Sequence, residues 1–300
     1  MTASLPKAAA IINPVSGVST RRKDLRRLTE LARRTFAQVN VQAEIVFSER
    51  AGHACELAAD FARRGFSPII AWGGDGTVNE VASALAFQSS VMGIVPTGSG
   101  NGLARELGIS LRPERAIDTA ARGIDRSIDV GELGGRLFVN LAGVGLGASV
   151  VRSFNRLAGR GLRRYVQATL STVFSHEAET YTITVEGRSR EHQALIVELA
   201  NGRQYGNGAV IAPHARLDDG LLDLVVVEPL GPLRVLIGAW RLFNGTIDRE
   251  PGVSTRPASR VTISAARPIR FHVDGELAQG SRSLSAAVHA GALRVRVPGT

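Results

Sequence analysis

The chain of 300 residues contains two lysines, Lys7 and Lys23, so arginine supplies 34 of its 36 basic side chains. That scarcity excludes two phosphate-handling devices: there is no GxxxxGKS/T loop and no lysine placed like that of a protein kinase. Cysteine is scarcer still. Cys55 stands alone, which excludes an internal disulfide and fits a reducing compartment. The six histidines are scattered singly, without HExxH or HxH, so zinc chemistry is not expected. No apolar run reaches the ~18 residues that a bilayer-spanning helix needs. Neither an internal repeat nor a low-complexity linker is present. The opening "MTASLPKAAAIINPVSG" carries one lysine, lacks a clear small-residue cleavage site and runs straight into a motif. It reads as a first strand, not as a signal peptide.

What remains is a chain with a real core and a strong positive balance. Hydrophobic residues make up 44%, and the net charge is +9. Such a charge attracts phosphate-bearing partners: nucleotides, nucleic acid or anionic lipid surfaces. A coding preference for arginine would produce the same excess.

The first ~125 residues alternate strand and helix signals, a pattern that means a parallel sheet covered on both faces. "AAAIIN", "VQAEIVFS", "PIIAW" and "VMGIVP" read as strands. "RRKDLRRLTELARRTF", "GHACELAADFARRG", "TVNEVASALAF" and "NGLARELG" read as helices. Ligands of such sheets lie beyond the carboxyl ends of the strands, where the glycine-rich turns fall. After Asp125 short strand-like runs dominate, among them "SIDVGELG", "RLFVNLAG", "TYTITVEG", "ALIVELAN", "LLDLVVVE", "RVTISA", "IRFHVDGE" and "ALRVRVP". They predict an antiparallel sandwich, interrupted by helical patches at "NRLAGRGLRRYVQATLSTVF" and "PLRVLIGAWRLFNG". The division is therefore 1–128 for an α/β domain and 129–300 for a β-rich domain, whose last strand is free to pack back on the first.

Four turns can carry chemistry. "INPVSG" follows a strand and precedes a basic helix, so its amides, with Asn13 and Ser16, suit an anion or an ordinary turn. "GGDGTVNE" combines glycines, which let amides approach phosphates, with Asp75, an acceptor that needs a cation beside phosphates. Asp75 also reads as a cap of the following helix at Thr77. "PTGSGNGLARELG" lacks the GxGxxG spacing of a dinucleotide fingerprint, and suits a phosphate- or ribose-edge loop with Ser99 and Asn101, or a flexible turn. "HVDGE" is either a hairpin turn or a general base for a hydroxyl nucleophile. "PHARLDDGLLDLVVVE" suits a turn into a buried strand, or a hard-cation site built from Asp219 and carbonyls. Arg152, Arg156, Arg160, Arg163 and Arg164 form a basic run that suits a solvated face or a membrane or phosphate contact.

In order and spacing, "INPVSG", "GGDGTVNE", "GIVPTGSGNGLARELG" and the distal "HVDGE" together resemble the diacylglycerol kinase catalytic family, which includes bacterial lipid kinases and sphingosine and ceramide kinases. "FSERAGHACELA" and "NGRQYGNGAVIAPHARLDDGLLDL" are similar to two further family stretches, so the resemblance covers nearly the whole chain. It implies an N-terminal phosphofructokinase- or NAD kinase-like α/β domain that binds ATP, and a C-terminal antiparallel β-sandwich that binds lipid, with the active site in the cleft between. By this resemblance Asn13, Pro14, Val15, Ser16 and Gly17 contact ATP. So do Ser48, Gly73, Gly74, Asp75, Gly76, Thr77, Asn79, Glu80, Ser99 and Asn101. Asp75 and Asp129 belong to a phosphate–Mg2+ network, and Asp274 is the general base with Glu276 as second candidate. Arg216, Asp219 and Leu221 match a structural magnesium site, the arginine and leucine through backbone carbonyls. Many bacterial members carry "GTxND" where this chain has Gly98-Ser99-Gly100-Asn101-Gly102. Gly102 replaces the acid, and the "GSGN" form is closer to sphingosine kinases.

The expectation is thus an ATP- and Mg2+-dependent lipid kinase acting on a hydroxyl such as that of diacylglycerol. It is expected in the cytoplasm, visiting a membrane surface peripherally through anionic lipid, without a nucleic-acid partner and compatible with a homodimer. A sphingoid-base kinase, a NAD kinase-like enzyme and a non-catalytic nucleotide-binding regulator are the rivals.

Overall fold

The computed structural model describes residues 7–16, 25–146 and 178–299. Gly17 and the arginines of the 152–164 run, with the helical patch around them, lie outside the described residues. The chain divides into one unit of Met1–Ile128 with Gly291–Thr300 and a second of Asp129–Ala290.

In the first unit, β1 (Ala8–Ile12), β2 (Ala43–Phe47), β3 (Ile69–Gly73) and β4 (Met92–Pro96) are parallel and run in the order β2-β1-β3-β4. Every residue of β1, β3 and β4 is buried. That explains why their sequences are unbroken apolar runs and not alternating ones. The helices are α1 (Leu25–Gln38), α2 (His53–Arg63), α3 (Asp75–Leu85), α4 (Gly102–Glu106) and α5 (Pro113–Arg122). On α2 the buried Ala54, Ala58 and Phe61 recur at i, i+4 and i+7, the stripe that packs a helix onto a sheet.

The sequence reading did not include α5, although its signals are there: proline in the first turn and a buried stripe of Ala116, Ile117 and Ala120. It lies close on the sheet because residue 93 is glycine. A Cβ there would come within 2.8 Å of the Ala120 Cβ and 2.9 Å of the Ile70 Cγ1.

The strand order positions a site. From β1 the chain moves to β2 on one side, then crosses to β3 and β4 on the other. The direction of winding therefore reverses between β1 and β3, and the turns leaving those two strands splay apart into a crevice.

The second unit is built mainly from antiparallel strands. They are β5 (Ile124–Leu133), β6 (Arg136–Phe138), β7 (Leu141–Gly145), β8 (Glu179–Val185), β9 (Arg188–Ala194), β10 (Ile196–Ala200), β11 (Leu222–Val227), β12 (Val253–Ala258), β13 (Arg260–Ala265), β14 (Arg270–Val273), β15 (Glu276–Gln279) and β16 (Ser283–Val297). Buried and more exposed residues alternate in β8, whereas β7, β10 and β11 are buried almost throughout. An antiparallel sheet runs β12-β11-β10-β7-β14-β15. A second antiparallel set places β13 between β8 and the first part of β16, with β9 outside β8. Phe138, Val144, Val197 and Leu224 share one core with Tyr181, Ile183, Val261 and Leu284, which makes the unit a sandwich. On the outer face of the six-stranded sheet, α6 (Pro232–Asn244) lies with a second apolar cluster around Leu141, Leu195, Val225 and Ile247.

One sequence-based strand is corrected and another is extended. "RLFVNLAG" is not one strand, because β6 ends at Phe138 and β7 begins at Leu141. The amides of residues 139–141 turn instead onto a distant carboxylate, described below. "ALRVRVP" is the end of the 15-residue β16. Its last residues belong to the first unit, where Val295 pairs with Met92, and Arg294 and Arg296 reach Asp125 at 3.0 and 2.7 Å.

On β7, Gly143 lies between Glu198 of β10 and His272 of β14. A Cβ at 143 would collide with the Val197 carbonyl and come within 2.5 Å of Glu198 Oε2. Overpacking of this kind costs typically about 1–3 kcal/mol. Gly143→Ala is therefore expected to lower the unfolding free energy by that amount, seen as a lower urea midpoint at an unchanged m-value. An unaltered midpoint would show that this row tolerates a methyl group.

Candidate active site

Three turns leave the carboxyl ends of β1, β3 and β4, and side chains link all three. After β1, Asn13 donates from Nδ2 to Thr77 Oγ1 at 3.0 Å, which spans the crevice between β1 and β3. Its Oδ1 accepts the Val15 N–H at 3.1 Å, so Asn13 also shapes its own turn, while Val15 itself projects outward. Ser16 donates to the Asn13 carbonyl at 2.9 Å and pairs with the Thr97 hydroxyl at 2.7 Å, joining the β1 turn to the β4 turn. The third link is Asp75. Its carboxylate accepts the Asn101 N–H at 2.9 Å and the Gly102 N–H at 2.7 Å.

The aspartate in the glycine turn thus does not cap its own helix. The N-cap of α3 is Gly74, without a side-chain cap bond. Asp75 instead satisfies the first free amides of α4, the groups a helix start leaves without intrahelical partners. The "GSGN" loop is closed further by Asn101. Its side chain accepts from the Gly98 N–H at 2.9 Å and donates to the Gly98 carbonyl at 2.8 Å. Asn101 has a left-handed backbone, φ 52°, which asparagine tolerates better than most residues. Gly74 and Gly98 approach so closely that a Cβ on residue 98 would lie 2.6 Å from the Gly74 Cα. Glycine at both positions is what lets the two turns approach each other this closely.

Other residues expected at this site take different positions. Glu80 accepts the Gly52 and Ala54 N–H groups, each at 2.9 Å, and so caps α2. Ser48 is buried at the end of β2, its N–H on the Ile12 carbonyl at 3.0 Å. Thr77 and Asn79 are buried on α3, and Ser99 lies half-buried in the β4 turn. Pro14 belongs to the turn after β1, and Gly73 and Gly76 flank the Gly74–Asp75 step.

In the second unit, Asp274 and Gly275 form the two-residue turn of the β14–β15 hairpin, with φ of 46° and 87°. Positive φ at both is the hairpin turn that suits the strand twist. The Asp274 carboxylate accepts three amides: Val139 at 2.8 Å, Asn140 at 3.0 Å and Leu141 at 2.9 Å. This is why the strand expected through residues 136–143 is broken. Glu276 follows the turn, exposed.

A buried acid–base pair lies two residues from Asp274, and the sequence reading missed it. His272 and Glu198 are both fully buried, with Nε2 3.0 Å from Oε1. Burial alone pushes the imidazole pKa down, the largest single effect. Glu198, by charge and contact, and Asp274, by charge, together outweigh it, so the value lies above that of a free histidine. The available signals were an acid inside the apolar run "ALIVELAN" and a histidine inside "IRFHV", but only the β10-β7-β14 register brings them together.

Asp129 is buried and joins the 217–221 segment. Its N–H donates to the Leu217 carbonyl at 2.6 Å, and its Oδ2 accepts the Gly220 N–H at 2.7 Å. Asp219 is exposed and accepts the Leu221 N–H at 3.1 Å, and the Arg216 side chain reaches Asp218 at 3.6 Å. Nearby, burial and then the Asp219 charge raise the Asp223 pKa, with His214 opposing. Among the described residues no three His, Cys, Asp or Glu side chains converge as metal ligands. A cation at 216–221 would rest on Asp219 and backbone carbonyls.

Behind α6 the same unit has a partly open apolar cavity of about 100 Å³, lined among others by Leu146, Leu195, Tyr205, Ile211, Val227 and Leu242.

Comparison with known proteins adds relatives. Residues 7–133 match the diacylglycerol kinase catalytic domain, and residues 140–297 match the YegS C-terminal NAD kinase beta sandwich-like domain. A probable YegS-like lipid kinase of Pseudomonas aeruginosa is 33% identical, with 82% of each chain covered. The diacylglycerol kinase of Bacillus subtilis is 28% identical over 91% of this chain and 90% of its own. A crystal structure of a putative diacylglycerol kinase from Bacillus anthracis superposes with a TM-score of 0.78 at 24% identity, covering 99% of this chain and 97% of that one.

The His272–Glu198 pair has a pH signature. Because the folded imidazole pKa is raised above its unfolded value of about 6.5, its contribution to stability is fully present below that pH. It is lost as pH rises through the folded value. The melting temperature of the native chain, relative to a Glu198→Gln/His272→Gln double variant, is expected to be higher at pH 6 than at pH 9. A pH-independent difference would mean that the pair is uncharged.

Proposed function

The chain belongs to the family of diacylglycerol kinases and YegS-like lipid kinases, and within that family we propose that it is an ATP- and magnesium-dependent enzyme phosphorylating a lipid hydroxyl such as that of diacylglycerol. The observation that carries this reading is the linked set of turns beyond β1, β3 and β4, in which Asn13–Thr77, Ser16–Thr97 and Asp75–Asn101/Gly102 hold three backbone segments together. In-line phosphoryl transfer asks little covalent work of a protein, and positioning and charge stabilisation dominate.

In this reading the amides around Gly74 and Gly98 receive the phosphate chain of ATP, with Asn13, Ser16, Thr77, Ser99 and Asn101 around it. Magnesium would neutralise phosphate charge beside Asp75, with Asp129 as a further acid of that network, and a second cation at Arg216, Asp219 and Leu221 would be structural. Asp274 accepts the proton of the lipid hydroxyl as its oxygen bonds to the γ-phosphorus and the bond to the β,γ-bridging oxygen breaks, releasing ADP. The three amides on Asp274 fix the direction of its carboxylate, which a general base requires before its basicity matters. Glu276, exposed beyond the turn, is the second candidate. The apolar cavity of the β-unit suits an acyl chain.

The "GSGN" loop, with Gly102 where many bacterial members carry an acid, favours a sphingoid base as the alternative acceptor. Incubation with labelled ATP, magnesium and a panel of diacylglycerol, monoacylglycerol, sphingosine, ceramide, polyprenol and NAD separates the readings. Label in a lipid is expected, and label in NAD alone would contradict the proposal. Asp274→Asn should lower the transfer rate by ~10²–10⁴-fold while ATP binding persists. Transfer at the native rate would remove Asp274 from the role of base.

A further inference from the structure

Among the described residues ten large apolar side chains are exposed, and four of them lie on one helix: Leu233 (70%), Leu236 (44%), Ile237 (37%) and Trp240 (66%) of α6. Their spacing, i, i+3, i+4 and i+7, makes them one continuous stripe. The other six come from separate elements and loops along the chain. The opposite side of the helix is apolar too, since Val235, Gly238, Ala239 and Leu242 line the cavity. A helix at the surface of a water-soluble fold normally turns a polar face outward, and a contiguous apolar stripe marks a contact surface.

The charges on α6 are of one sign. It carries Arg234 and Arg241 and no acidic residue. Both arginines reach the buried Glu250, at 3.4 and 3.3 Å, which anchors the flank of the helix and leaves the stripe clear. We propose that α6 is the surface by which this kinase seats on an anionic bilayer, with Leu233, Leu236, Ile237 and Trp240 entering the boundary between headgroups and acyl chains.

Three observations select a bilayer over a second copy of the chain. A lipid kinase must meet its substrate in a membrane, and among the described residues no helix is long and apolar enough to cross one. Leucine and tryptophan outward with arginine at the flank is the composition of interfacial helices, and the net charge of +9 complements an anionic leaflet. The stripe also exposes only on the order of 400–500 Å² of side chain, against about 800 Å² per partner in a standard protein interface. The placement has a further consequence, because the helix that touches the bilayer on one side lines the cavity on the other. The inference rests on the lipid-acceptor reading for the use of that cavity, and docking itself does not require ATP.

The chain carries its own reporter. It has two tryptophans, of which Trp72 is buried in β3 and Trp240 is exposed on α6. Full-length protein would be titrated, without ATP, with vesicles of phosphatidylcholine and phosphatidylglycerol and with phosphatidylcholine alone. The emission is expected to shift to shorter wavelength, at lower lipid concentration with the anionic vesicles, and a Trp240→Phe variant should not shift. A Leu236→Asp/Ile237→Asp variant should bind the anionic vesicles at least ~10-fold more weakly. It should still phosphorylate a short-chain lipid dispersed in detergent at the native rate. Loss of transfer by the native chain with docking intact would strike the functional reading and spare this one. Vesicle binding that leaves the Trp240 emission unmoved, or that survives the double substitution, would overturn the proposal. So would a concentration-dependent dimer in sedimentation that the double substitution abolishes, since the stripe would then be a protein interface.

Discussion

Backbone amides holding carboxylates are the interaction on which this structure depends. Asp75 accepts two amides from the start of α4, Glu80 two from the start of α2, Asp274 three from residues 139–141, and Asp129 one from Gly220. Each bond ties a turn to an element distant in sequence. A chain with 36 lysines and arginines has ample cations with which to hold its acids. Its arginines instead form ion pairs that are mostly exposed, such as Arg50–Glu56 and Arg64–Glu44, a class worth little to stability. An amide donor is fixed by the fold and carries no net charge. It can therefore orient an acid without adding a cation that would compete for phosphate.

The consequence for function is a division of labour among acids. Asp75 stands at the crevice where the winding of the sheet reverses, and it fastens the third turn to the second. Asp274 occupies a hairpin turn whose two positive φ angles aim its carboxylate at a broken strand. The family assignment makes the chain a lipid kinase. The amide-held acids describe how a fold with almost no lysine ties its turns together through backbone, glycine and short polar side chains.

Much of this was legible in the sequence because it is local. The apolar runs "AAAIIN", "PIIAW" and "VMGIVP" announced the parallel strands, and the glycine turns after them fall at the carboxyl ends of those strands. What was not legible depends on register. Nothing near "RLFVNLAG" reveals that Val139 and Asn140 leave the strand, because their partner, Asp274, is more than 130 residues away. Glu198 and His272 meet only because Gly143, between them in the sheet, has no side chain. Asp75 also read as a cap of its own helix, and it accepts instead the first amides of the neighbouring one. The helix α5 was the exception, with local signals present and simply not read.

The central claim is that Asp75 holds in register the turns to which ATP binding is proposed. It is tested most directly by titrating ATP into the native chain and into Asp75→Ala, with calorimetric readout. Removing a side-chain cap costs typically about 1 kcal/mol, and up to ~2, so the account predicts ATP binding weakened at least ~5-fold while the far-ultraviolet circular dichroism stays native. Undiminished ATP affinity in Asp75→Ala would contradict it.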